Sequence, residues 1–230
     1  MQTQLGKNNN DEVHLVLNNI KIQDFLRLSV FAPPVTASVD ADLTVGYTND
    51  WLYGGGSLGV YDFTYDKLRV GDFDLGVKAG RNNDGSTGAL LTLNIDKHEA
   101  MVGKMMLVPD SLGALIPKKM GVELTRFPLY VANPFLGNDV ARLSGYLNGA
   151  LDMSGSFTAP VLNGSIACDS VGVFVPMIGS ALTFGNDSIV VADNVLRLNN
   201  FDIWGANKNP LVINGGVDAV SYTHLTLPTI

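Results

Sequence analysis

Leu143–Gly164, LSGYLNGALDMSGSFTAPVLNG, is the stretch that decides the fold. From Leu143 to Phe157 the odd positions read Leu, Gly, Leu, Gly, Leu, Met, Gly, Phe. The even positions between them read Ser144, Tyr146, Asn148, Ala150, Asp152, Ser154 and Ser156. A two-residue period puts one set on each face of a β-strand, so this strand has one apolar and one polar face. The pattern breaks at Ala159-Pro160, and a second strand starts at Val161. Repetition of such a unit builds a sheet with one continuous apolar wall.

The same alternation recurs outward from this segment. Val35–Tyr47 sets Val35, Ala37, Val39, Ala41, Leu43, Val45 and Tyr47 against Thr36, Ser38, Asp40, Asp42 and Thr44. Further strands are expected at Val13–Ile22, Leu52–Phe63, Lys67–Val70, Asp72–Lys78, Ala89–Ile95 and Val122–Val131, and then at Ser188–Val191, Val195–Trp204 and Leu211–Val217. Arg81–Gly88, RNNDGSTG, is a turn by composition, as are Asp193-Asn194 and Ala206–Pro210. A helical turn is expected at Asp24–Phe31, stopped by Pro33-Pro34. Asp96–Met120 alternates less, and Asp110-Ser111 before Leu112–Ile116 has the form of a short capped helix. Val39–Val45 followed by Gly56-Ser57-Leu58 parallels Leu147–Met153 followed by Gly164-Ser165-Ile166, which suggests two distant copies of one unit.

Composition narrows the function classes. A net charge of −7, with basic residues scattered apart from Lys118-Lys119, argues against nucleic acid and against a polybasic membrane patch. Charged residues make up 16% against 46% hydrophobic, below the usual quarter, so the chain shields apolar surface within its own fold. Ser170–Asn186 carries only one apolar, uncharged run broken by Gly172, Pro176, Gly179 and Gly185, too short and too interrupted for a spanning helix; it reads as two buried strands joined by a turn. The first residues, MQTQLGKNNNDEV, contain no apolar secretory core.

A search for chemistry yields no catalytic residue, metal site or cofactor site. His14, His98 and His224 stand in no metal-ligand spacing, and Cys168 lies beside Asp169 without a second cysteine or a partner histidine. Gly54-Gly55-Gly56-Ser57 opens no helix and is followed by no GK[ST], so these glycines read as strand bends. The Asp40/Asp42, Asp62/Asp66 and Asp72/Asp74 pairs read as a solvated face rather than a calcium site, and Tyr61, Phe63 and Tyr65 as sheet packing rather than a carbohydrate platform.

Leu143–Val217 resembles the C-terminal domain of the translocation and assembly module family, TamB. That family's GxLxGxLxxxGxxxxPxLxG pattern is met at Gly145, Leu147, Gly149, Leu151, Gly155, Pro160, Leu162 and Gly164. Ile189, Asn194, Leu196, Asn200-Phe201, Ile203, Gly205, Pro210, Leu211, Ile213 and Gly215 fit the tail that follows. The first half of the chain resembles the family only in style. The last residues, Val220–Ile230 (VSYTHLTLPTI), resemble the translation of a sequencing-library adapter and are read as an artefactual tail.

The resemblance implies an all-β fold, an elongated twisted sheet curled into a U-shaped β-taco with an apolar groove and one or two short helices. It divides the chain into a taco segment at 1–95, a less regular connection with a short helix at 96–142, and the family-like segment at 143–219. It implies a non-enzymatic segment of an AsmA-like, bridge-type lipid transporter in the periplasm, held to the inner membrane by an N-terminal helix that this fragment lacks. The implied partners are phospholipid acyl chains and an outer-membrane barrel of the BamA/TamA type, with no nucleic acid and no cofactor. The groove candidates are Leu143, Leu147, Leu151, Met153, Phe157, Leu162, Ile166, Val173, Ile189, Val191, Leu196, Leu198, Ile203 and Ile213. The rival reading is a structural or adhesive β-solenoid, in which the apolar faces meet in a filled core and no groove exists.

Overall fold

The structure, a computed structural model, describes residues 2–4, 10–26, 34–48, 51–82, 84–111, 113, 115–136, 140–156, 159–205 and 209–218. These residues form one sheet of fourteen strands. The strands are β1 (Gln2–Gln4), β2 (Asn10–Lys21), β3 (Val35–Thr48), β4 (Trp51–Tyr65), β5 (Leu68–Arg81), β6 (Thr87–Ile95) and β7 (His98–Pro109). They continue as β8 (Leu115–Pro128), β9 (Arg142–Ser156), β10 (Ala159–Val175), β11 (Ser180–Phe184), β12 (Ser188–Ala192), β13 (Val195–Trp204) and β14 (Leu211–Asp218). Neighbours from β1 to β10 pair in sequence order; β10 then pairs with both β11 and β12, and β13 joins these two and carries β14. Every pairing is antiparallel. The fold is all-β.

Residues directly opposite one another in a ladder share a face, so the pairings extend the alternation of each strand across the sheet. One row runs Leu15, Leu43, Gly56, Val77, Leu91, Gly103, Val122, Leu151, Gly164, Val191, Leu196, Val217, from β2 to β14 without a polar side chain. The next row runs Leu17, Ala41, Leu58, Leu75, Leu93, Met101, Leu124, Gly149, Ile166, Ile189. The opposite face carries His14, Asp42, Ser57, Lys78, Lys104, Glu123, Asp152 and Asn163.

Local chemistry sets the hairpins and the bends. Asp66-Lys67, Asp96-Lys97 and Asp193-Asn194 all take positive φ at both residues, the tight primed turns whose twist matches that of the flanking strands. Single left-handed residues, Asn19, Asp62, Arg126 and Asn200, sit at register shifts in β2, β4, β8 and β13. At each, the backbone N–H donates to an Asp or Asn oxygen on the neighbouring strand: Asn19 to Asp40, Asp62 to Asp72, Arg126 to Asn148 and Asn200 to Asn214. These bulges bend the strands and increase the sheet's twist.

The sheet curls until distant strands face each other. Leu43 and Val45 of β3 and Leu115 of β8 line a single cleft. Those strands are five pairings apart, about 24 Å on a flat sheet at ~4.8 Å per strand. The connection after β8 crosses the concave face as a 3₁₀ turn, Leu129–Ala132, and a one-turn helix, Asn133–Leu136. Phe135 lies over Tyr65 at 4.9 Å and Phe63 at 6.3 Å between ring centroids. Asn133 pins the other side of this strap, accepting from Leu143 N–H at 2.6 Å and donating to its carbonyl at 2.9 Å.

Several local expectations change. Leu112–Ile116 is not a helix among its described residues: Leu115 and Ile116 open β8, paired with Pro109 and Val108. Asp110 and Gly113 instead close a turn through a 3.1 Å backbone hydrogen bond, with Gly113 at φ 83. Strands β7 and β8 run the length of the stretch read as less regular, because cross-strand pairing outweighs its weak local pattern. Leu68–Val70 and Asp72–Lys78 merge into β5, with Lys67 left in the turn before it, and Arg81 belongs to β5 rather than to the turn. The strand expected over Val122–Val131 stops at Pro128. Helix α1 is one turn, Ile22–Leu26; the remainder of that expected helix, to Phe31, lies outside the described residues. Ser170–Asn186 does form two strands about a turn, but the turn is open to solvent, with Met177 86% exposed. No helix among the described residues is long and apolar enough to cross a membrane. Val220–Ile230, with His224, lies outside the described residues.

Candidate functional site

The apolar face has two different fates. Between β3 and β8 part of it lines an open cleft of about 730 Å³, while Ala37, Ala41 and Ile95 are buried. Leu43, Val45, Val77, Ala79, Pro109 and Leu115 form its walls, and Gly54 and Gly55 its floor on β4. Val45 is 48% and Leu115 50% exposed, although both belong to the wall. Small residues create the room: in the row Val45, Gly54, Ala79, Ala89, Met105, every side chain from β4 to β6 is no larger than a methyl group.

Gly56 shows why this hairpin needs glycine. Its φ of 144 is open to glycine alone, and a Cβ there would strike the Asp42 carbonyl oxygen. Gly164, at φ 149, would meet the Ala150 carbonyl in the same way. Leu43 faces Gly56 in one hairpin and Leu151 faces Gly164 in the other. The two segments matched in the sequence thus occupy equivalent hairpins with the same register.

Beyond β9 much of the same face is packed, although Val217 at its end stays 45% exposed. Cys168, Val171 and Phe201 are buried, with Leu129, Leu147, Phe184, Ile189, Leu198, Ile203 and Ile213 against them. Phe184 and Phe201 meet edge to face at 5.6 Å. Burial raises the Cys168 thiol pKa, with Asp187 adding to the shift, so this thiol stays protonated and poorly nucleophilic.

The groove candidates therefore divide. Leu151, Met153, Leu162, Ile166, Val191 and Leu196 share the apolar face through the β9–β10–β12–β13 pairings. Leu147, Ile189, Leu198, Ile203 and Ile213 are packed into the Cys168–Phe201 cluster, and Val191 is 8% exposed. Leu143 and Val173 pair with each other beyond the bulge at Asp169/Gly172. Phe157 lies outside the described residues. The residues that line the open cleft come instead from the first half of the chain. The alternation of Val35–Tyr47 marks them as a half-buried face, but nothing local marks that face as uncovered.

The Tyr61, Phe63, Tyr65 stripe is split by the left-handed bulge at Asp62. Tyr61 donates to Asp74 at 2.6 Å on the polar face, and this bond pushes its pKa up to about 12. Phe63 turns to the apolar face and meets Phe73 at 6.0 Å. One edge of the strap is held by charge: Arg69 lies 2.8 Å from Asp96 and 3.1 Å from Asp72, and the Tyr130 hydroxyl donates to Asp96. The Arg69 hydrogen bond, supported by that of Tyr130, holds the Asp96 carboxyl down to about 2. Burial, and then the bond to Asp96, raises Tyr130 to about 12. His14 pairs with Asp42 at 2.7 Å on the polar face. Among the described residues no group of three metal-ligating side chains converges.

Compared with family models, with curated proteins and with solved structures, the chain matches none.

Proposed function

We propose that this chain is a segment of a periplasmic bridge protein that carries phospholipid acyl chains along its trough between the inner and outer membranes. The observation that carries this reading is the unbroken apolar row from Leu15 to Val217, of which Leu43 and Val77 line an open cleft. Its resemblance to the TamB family adds the setting: an AsmA-like bridge anchored in the inner membrane, ending at an outer-membrane barrel of the BamA/TamA type.

The energetics suit a conduit. An acyl chain entering such a trough from water gains ~0.8 kcal/mol per CH₂, while one entering from a bilayer gains close to nothing, since its starting environment is already apolar. A near-flat profile lets cargo move along the wall. No reactive group takes part, and the wall acts collectively. The β-solenoid alternative draws support from the packed cluster beyond β9 and from the buried Ala37, Ala41 and Ile95.

The test is to incubate the purified full chain with phospholipid vesicles, re-isolate it and detect co-purifying lipid by native mass spectrometry. The chain is expected to carry lipid, and Val77→Asp to abolish this while the β-sheet circular dichroism is unchanged. An empty wild-type protein contradicts the proposal.

A further inference from the structure

Among the described residues, the cleft between β3 and β8 has one charged residue in its lining, Arg81. Arg81 is the last residue of β5, opposite Thr87 at the start of β6. Its side chain is exposed and forms no ion pair among the described residues. In a chain of net charge −7, a guanidinium without an ion-pair partner among those residues, set on the rim of an apolar cleft, is a positive charge open to an anionic ligand. Tyr47, Tyr53 and Thr87 share that rim, with the Tyr53 hydroxyl donating to Glu12 at 3.0 Å, and among the described residues no acidic side chain lines the cleft.

From Arg81 the cleft wall descends β5 through Ala79 to Val77, and the same face of the strand continues past the cleft through Leu75 to Phe73, which meets Phe63. Those eight steps span ~27 Å at ~3.4 Å per residue, comparable with an extended acyl chain. One end offers a cation and the Thr87 hydroxyl, the other an aromatic stop.

We propose that the cleft selects amphiphiles with an anionic head, the head bound by Arg81 at the mouth and the single chain laid along β5 toward Phe73. This rests on the trough carrying acyl chains and adds which head it prefers. A planar guanidinium takes two oxygens of a phosphate side by side, and a neutral head leaves it unpaired.

The test uses the full chain and isothermal titration below the micelle threshold with dodecyl phosphate, 1-dodecylglycerol and inorganic phosphate. Dodecyl phosphate is expected to bind roughly fivefold more tightly than dodecylglycerol, as befits an exposed charge pair. Arg81→Gln should erase that ratio and leave dodecylglycerol binding unchanged, while Arg81→Lys keeps most of it. A ratio unchanged in Arg81→Gln, or equal binding of both amphiphiles to the wild type, overturns the head preference and leaves the trough reading standing. Inorganic phosphate competing as well as dodecyl phosphate also overturns it. If neither amphiphile binds the wild type, both proposals fall.

Discussion

The stretch from β3 to β8 and the stretch from β10 to β14 present the same apolar face of the same sheet; the first buries Ala37, Ala41 and Ile95 but leaves Val45 and Leu115 lining an open cleft, whereas the second gathers its large side chains into a packed cluster around Cys168 and Phe201. In the first, Leu43, Gly56, Val77, Leu91, Gly103 and Val122 stand in one row with glycine at every third place, and the cleft between the curled walls stays open. In the second, β10 pairs with both β11 and β12, and β13 joins the two. This tighter wrap brings Phe184 and Phe201 face to edge over Cys168. Alternation thus makes a wall, and side-chain volume together with strand connectivity decides whether the wall meets itself.

The sharpest way to break this comparison is to cut volume from the packed end. Phe201→Ala should cost about 3–5 kcal/mol, because it leaves a cavity among buried neighbours, read as a large drop in the urea midpoint with the slope unchanged. An effect below 1 kcal/mol would make the packed end as loose as the trough. The two hairpins offer the next test. Gly56→Val and Gly164→Val each force a side chain into a neighbouring carbonyl at a φ that valine avoids, so each should cost on the order of 2–3 kcal/mol. Similar losses in urea denaturation support equivalent hairpins; a silent Gly164→Val would separate them.

A smaller effect follows from the strap. The Asp96 carboxyl is lowered from 3.8 to about 2 in the fold, so its contribution is full above the unfolded value and is lost as pH falls through that interval. Melting temperature should therefore fall between those two pH values in the wild type, and Asp96→Asn, already lacking the contribution, should show a shallower slope there. Parallel pH profiles would remove the carboxylate from the strap's anchoring. The smallest change belongs to the open wall: Val45→Ala, at a site 48% exposed, should cost under about 1 kcal/mol, since half of that side chain is already in water.

Much of the architecture was legible in the alternating positions. Val35–Tyr47, Leu143–Phe157 and Val195–Trp204 each declare two faces, and Asp193-Asn194 declares its turn. The bulges were not legible, because Asn19, Arg126 and Asn200 take left-handed backbone only where a neighbouring strand supplies an Asp or Asn oxygen. Tyr61 and Phe63 consequently part company although their spacing suggests one face. The site was half legible. The residues of one wall can be read from the period, but whether anything covers Ile189 or leaves Val45 bare depends on contacts far along the chain. Arg81 was hidden for a related reason: its neighbours are turn residues, and only pairing with Thr87 makes it the end of a strand on the rim of the cleft.

The most direct measurement places one photocrosslinking side chain at Val77 and, in a second protein, at Ile189, with phospholipid vesicles present. The open-trough account predicts lipid captured at Val77 and none at Ile189. Lipid captured equally at both positions, or at neither, contradicts it.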